Sequence, residues 1–83
     1  MKYVGIKEAY ENLANAIVLS AVEDYKATLI HLKKRPDSKA AQDEVRRHEK
    51  FFYSDWYAML TDLDPDYLIP KMKKMVNEGD SPE

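Results

Sequence analysis

The sequence predicts an all-α protein, namely a long antiparallel helical hairpin followed by one or two short C-terminal helices. Apolar residues recur every three or four positions over long stretches, which is the spacing of one helix face. Only two glycines and four prolines occur in 83 residues, a scarcity that suits long helices. Charged residues make up 34% and hydrophobic residues 45% of the chain, which also favours helix over sheet.

The length is enough for one domain and not for two. We expect a single helical domain over residues 1–78 and a disordered polar tail over 79–83. A chain this short buries only about 60–65% of its unfolded surface. Its stability margin is therefore expected to be small, and oligomerisation is a common remedy.

The first helix is predicted from Ile6 to about Lys34, and at about 1.5 Å per residue it is roughly 40 Å long. Its apolar stripe is wider than a single neighbouring helix can cover, which predicts that a second chain buries the rest. The main row consists of Tyr10, Leu13, Ile17, Ala21, Tyr25, Leu29 and Leu32, and a second row of Ala14, Val18 and Val22 widens it.

A short turn should separate the first two helices and make them antiparallel. The basic run 33–35 complements the negative end of the helix dipole, and Pro36 prevents the helix from continuing. Asp37 and Ser38 are both good N-cap residues for the second helix.

The second helix leaves one alternative open. Its predicted inner face carries Ala41, Val45, His48, Phe52 and, if the helix continues, Met59. Either the helix breaks at Ser54-Asp55 and a new one begins near Trp56, or it runs unbroken to Leu60.

The last helix is predicted from Pro65 to Asn77, with Asp64 as the N-cap and Pro65 as the first helical residue. Pro70 lies inside this range. It either kinks the helix or begins a new one after a short turn at 66–69.

Composition argues against several classes of protein. There are no cysteines, so a disulfide or thiolate zinc site is excluded, and the net charge of −2 is not that of a typical nucleic-acid binder. No apolar run is longer than five residues, which is too short to cross a membrane, and the N-terminal segment has no signal-peptide core. We therefore expect a cytoplasmic protein with no membrane partner, and the charge balance argues against a nucleic-acid partner.

Metal, cofactor and enzyme chemistry are not predicted. Glu44 and His48 lie at i, i+4, but di-iron bundles use Glu and His at i, i+3 on two helices. The alternating aspartates at 62–66 lack the glycine and the distal glutamate of a calcium loop. No glycine-rich phosphate loop occurs, and no nucleophile has a recognisable base.

The segment 46–57 is the strongest candidate for binding. Aromatic residues on every side of a helix cannot all face one core, so some must meet a partner, a ligand or solvent. The alternative is that Phe52 and Trp56 are core residues and the tyrosines surround them. The candidate binding residues are Arg47, Phe51, Tyr53, Ser54, Asp55, Trp56 and Tyr57.

The stretch from about Leu13 to Met75 resembles a family of small helical phage and prophage proteins of Gram-positive bacteria, mostly of unassigned function. The matching motifs are Leu-Ala-Asn-Ala-Ile-Val at 13–18, the turn at 35–37, Phe-Phe-x-Ser-Asp-Trp at 51–56, Leu-Thr-Asp at 60–62 and Tyr-Leu-Ile at 67–69. The resemblance implies a phage context, and hence the host cell cytoplasm, but no activity.

The sequence thus favours a small phage accessory protein that binds without catalysis, as a homo-oligomer. A counter-defence protein that blocks or sequesters a host immune factor is one concrete form. One alternative is an oligomeric sponge that sequesters a small nucleotide signal at a subunit interface, and another is a nucleic-acid-associated phage protein.

Overall fold

The computed structural model describes residues 5–78, with the backbone alone at Ile6 and Lys7, and this range is all-α. The long hairpin and the short C-terminal helices are as predicted, and no strand occurs among the described residues. The predicted disordered tail at 79–83 lies outside them. The four helices are α1 (Ile6–Lys34), α2 (Lys39–Phe52), α3 (Asp55–Leu60) and α4 (Pro65–Asn77).

The turn between α1 and α2 is closed by local hydrogen bonds. The Arg35 amide donates to the carbonyl of His31 at 2.9 Å, and the Ser38 amide donates to the carbonyl of Arg35 at 3.0 Å. Ser38 Oγ accepts from the amide of Ala41 at 3.1 Å and caps α2. Ser38, rather than Asp37, is therefore the N-cap.

The second helix breaks at Ser54, which answers the alternative that the sequence left open. Ser54 Oγ accepts from the amide of Tyr57 at 3.1 Å and donates to the carbonyl of Phe51 at 2.6 Å. One hydroxyl thus caps the start of α3 and satisfies a carbonyl at the end of α2.

Helix α4 is one continuous helix. Asp64 Oδ1 accepts from the amide of Asp66 at 2.9 Å, and Pro65 is the first helical residue, as predicted. Pro70 lies within the helix without ending it. At the far end, Lys33 Nζ of α1 donates to the carbonyl of Val76 at 2.8 Å and so stabilises the last turn.

Helix α1 contacts each of the other three helices, and the core lies along it. Every residue from Glu8 to Leu13 is nevertheless exposed, and among the described side chains of α1 the first buried one is Ala14. The Cα radius of gyration is 15.1 Å, whereas a compact domain of this length has one of about 12 Å. The stretch of α1 from Glu8 to Leu13 therefore stands outside the core. The core residues are Ala14, Val18, Tyr25, Leu29, Phe52, Tyr57, Leu60, Leu68, Ile69, Met72 and Val76.

None of the helices in residues 5–78 combines the length and the apolar character that crossing a bilayer requires.

Candidate functional site

Part of the predicted aromatic segment belongs to the core. Phe52 and Tyr57 are only 1% and 2% exposed, and their rings meet edge-to-face at 5.4 Å between centroids. Phe51 is half-buried and packs edge-to-face on Tyr57 at 5.7 Å. Such pairs add about 0.5–1.5 kcal/mol each beyond their area burial. Tyr57 Oη also donates to the carbonyl of Leu63 at 2.9 Å, so its hydroxyl is hydrogen-bonded while its ring packs in the core.

Trp56 is not the core residue that the alternative interpretation expected. It exposes 52% of its surface, whereas Tyr57 takes the buried position beside Phe52. The reason is the break at Ser54. On one continuous helix Phe52 and Trp56 would share a face, but the turn between α2 and α3 changes the helical phase and directs Tyr57 inward.

Tyr53, Ser54 and Asp55 form the turn itself. Tyr53 is 58% exposed, and its hydroxyl donates to Asp66 Oδ1 at 2.5 Å. That hydrogen bond to a carboxylate raises the pKa of Tyr53 above its ordinary value. Asp55 opens α3, where its carboxylate complements the positive end of the helix dipole. The polar groups of the turn therefore have structural roles.

Arg47 lies elsewhere, in a shallow depression of about 390 Å³ between α1 and α2. Two carboxylates, Asp24 and Glu44, line the same depression. They offset the positive charge of Arg47, so the depression does not present the concentrated positive charge that selects a phosphate.

His48 is a packing residue of the hairpin. Its ring lies edge-on to Tyr25 at 5.9 Å, and its Nε2 lies 3.2 Å from Thr28 Oγ1. The one hydroxyl proton of Thr28 is donated to the carbonyl of Asp24 at 3.0 Å. The contact with His48 is therefore made by Nε2–H donating to Thr28. Within residues 5–78, no group of three His, Asp or Glu side chains is placed to hold a metal ion.

The sequence reasoning missed a polar link inside the core. Tyr25 is fully buried, and its hydroxyl donates to Glu49 Oε2 at 2.7 Å, while Lys73 Nζ lies 3.3 Å from the same oxygen. Two causes raise the pKa of Tyr25 far above its ordinary value: burial is the larger one, and this hydrogen bond is the second. The available signal was a tyrosine at a core position, because a buried hydroxyl needs a partner.

A second missed feature is a depression of about 490 Å³ where α1 passes the end of α3. Tyr10 from α1 and Met59 from α3 are 50% and 66% exposed there. Trp56 lies three residues before Met59 and so shares the outer face of α3. We call Tyr10, Met59 and Trp56 the apolar strip. The depression is lined by Tyr10, Glu11, Ala14, Asn15, Met59, Leu60, Thr61 and Asp62.

The predicted binding residues are thus spread over separate places. Arg47 lies between α1 and α2, Tyr57 lies in the core with Phe51 beside it, and Trp56 lies on the outer face of α3. Comparisons with protein-family models, curated proteins and solved structures find no match to this chain. Its function has to be inferred from its own surface.

Proposed function

We propose that this chain is a small accessory binding protein that acts without catalysis, as a homo-oligomer. Within the phage context that the family resemblance implies, the concrete form we propose is a counter-defence protein that blocks or sequesters a host immune factor. The supporting observation is that large apolar side chains are exposed on both helices that flank the depression between α1 and α3. These are Tyr10, Leu13, Trp56 and Met59, each at least half exposed.

Covering these side chains would stabilise a complex. Full burial of a fully exposed large apolar side chain contributes about 1.5–3 kcal/mol, and these four are already partly covered, so completing their burial offsets part of the cost of association. Trp and Tyr are also the residue types that most often dominate binding energies. An apolar area of this kind on a protein surface is typical of an interaction site.

Self-association is best supported along the flank of α1 that bears Leu13, Ile17 and Ser20, at i, i+4 and i+7. Ala16 and Ser20 are small and exposed, so another helix can approach closely. Half-buried Phe51 of α2 borders the same surface and gives it an apolar edge. Two copies of this flank, packed antiparallel about a two-fold axis, would each bury the other's Leu13.

Light scattering over a range of concentrations tests the oligomer. We expect a particle mass that is two or more times the chain mass of 9.7 kDa. Leu13→Lys should shift the protein toward monomer, because it places a charge in the interface. Leu19→Lys is the matched control. Leu19 is similarly exposed, at 58%, but lies about 120° around the helix from Leu13.

Two results would count against this proposal. A monomer at every concentration would contradict the oligomer. An oligomer that Leu13→Lys and Leu19→Lys weaken equally would contradict the assigned flank.

A further inference from the structure

The depression between α1 and α3 has the shape of a shallow groove with two helical walls. Ala14 and Leu60 are buried at its floor, and Tyr10 and Met59 rise on either side. It is open rather than enclosed, whereas sites for small molecules bury most of the ligand. An open apolar groove between two helices instead suits a third helix that inserts apolar side chains at i, i+3, i+4 and i+7.

Among the residues that the structure describes, the charges at the edges of the groove have one sign. Glu11 lies on the α1 side and Asp62 just beyond the α3 side, and no basic side chain is among the described residues that line the groove. Asp55, one turn before Met59 on α3, adds a further carboxylate to that wall. A helix with lysines or arginines flanking its apolar row would therefore find carboxylates on both sides.

The chain's own basic helix does not meet this description. Helix α4 carries Lys71, Lys73 and Lys74, but its apolar residues apart from exposed Tyr67 and half-buried Met75 are buried in its own core. A second copy of the protein therefore has no free apolar face on α4 to offer to the groove.

We propose that the groove between α1 and α3 binds a basic amphipathic helix of another protein, an assignment that rests on the proposed binding function. The apolar strip supplies the contact area, with Trp56 extending it along α3. Glu11 and Asp62 select for the positive charge that flanks the apolar row of the helix.

Trp56 makes the test direct, because it is the one tryptophan in the sequence and lies beside the groove. The probe is a tryptophan-free peptide of about 18 residues, made of leucine and lysine with leucines at helical spacing. Two peptides serve as comparisons: the same composition in shuffled order, and the same pattern with glutamate in place of lysine. We expect the patterned basic peptide to change Trp56 emission saturably and to bind at least about tenfold more tightly than either comparison.

Variants of the groove identify the site. Met59→Lys should weaken binding of the basic peptide about tenfold, with Leu19→Lys as the matched control that stays within about twofold. The double change Glu11→Gln and Asp62→Asn should weaken it about threefold or more, and Glu23→Gln, on another face of α1, should have no effect. High salt should remove most of the difference made by the double change. All substituted side chains are exposed, so helix content by circular dichroism should stay unchanged.

Several outcomes would overturn the assignment. They are no binding of the basic peptide, equal binding of the three peptides, or an equal effect of Met59→Lys and Leu19→Lys. Loss of the oligomer on Met59→Lys would show that a second copy occupies the groove instead. If the protein is an oligomer but the basic peptide does not bind, only the groove assignment is rejected. If the protein is a monomer and the peptide still binds, only the self-association is rejected.

Discussion

Tyr25 and Glu49 join the first two helices through a hydrogen bond of 2.7 Å from Tyr25 Oη to Glu49 Oε2. Lys73 of α4 lies 3.3 Å from the same oxygen, so three helices meet at one carboxylate. Tyr25 itself is fully buried, and its ring packs edge-to-face on Phe52 at 5.3 Å. The link therefore fixes the register of α2 on α1 at the edge of the core, where the ring of Tyr25 is buried and its hydroxyl meets Glu49.

Removal of this hydroxyl should destabilise the protein. We expect Tyr25→Phe to lower the free energy of unfolding in urea by about 1.5 kcal/mol, since a hydrogen bond to a charged acceptor is lost while the ring packing is kept. Tyr10→Phe is the control, because Tyr10 is half exposed and should change stability by less than about 0.5 kcal/mol. Equal stability of the two variants would contradict the role given to the Tyr25–Glu49 bond.

Stability should also fall in alkaline solution. Burial raises the pKa of Tyr25 and of Tyr57, so above about pH 10 the unfolded chain releases phenol protons that the folded chain keeps. The contribution of these tyrosines to the free energy of unfolding is therefore fully present below that pH. Above it, the free energy of unfolding falls by up to about 1.4 kcal/mol per pH unit for each tyrosine. Urea unfolding at several alkaline pH values measures the slope. Tyr25→Phe should make the slope shallower, and an unchanged slope would exclude Tyr25 as its source.

The cap at Ser54 should contribute measurably to stability. Ser54→Ala removes the acceptor for the Tyr57 amide and should lower the free energy of unfolding by about 1 kcal/mol. Ser54→Asp keeps an N-cap acceptor and should restore most of the loss. Ser20→Ala, at an exposed site within α1, should not destabilise. If Ser54→Asp is no better than Ser54→Ala, the cap is not the reason for the loss.

The two prolines of α4 should respond in opposite ways to alanine. Pro70 is exposed inside the helix and lacks the amide that would donate one turn back, so Pro70→Ala should raise the free energy of unfolding by about 1–2 kcal/mol. Pro65 stands at the first helical position, where its missing amide costs nothing, so Pro65→Ala should bring no gain. Thermal unfolding of both variants measures the difference, and a gain at Pro65 that equals the gain at Pro70 would contradict it.

The break between α2 and α3 shows why the sequence alone left two possibilities for the second helix. Ser54 can cap a helix or lie within one, so local chemistry leaves both possible. The core decides between them: Phe52 and Tyr57 are five residues apart, and on a continuous helix they would point about 140° away from each other. Both are buried against α1, and only a break in the helix allows that.

The candidate site was predicted only in part, for a related reason. The aromatic segment pointed to Trp56 as a binding residue, and Trp56 is exposed. The partners of Trp56 in the apolar strip were missed, because Tyr10 was assigned to the apolar stripe of the first helix and Met59 to one face of the second helix in the alternative that continues to Leu60. Periodicity identifies a face but does not say how much of it another helix covers.

The sequence by itself determined the helices, because caps, prolines and apolar spacing act within a few residues of one another. It placed the ends of α1, the turn at Pro36 and the start of α4 at Pro65. The tertiary structure alone decided which part of the α1 stripe is covered. Helix α1 has 29 residues, whereas α2, α3 and α4 have 14, 6 and 13, and coverage depends on how these shorter helices lie along it. They leave Tyr10 and Leu13 exposed at one end, and the proposed functions lie there.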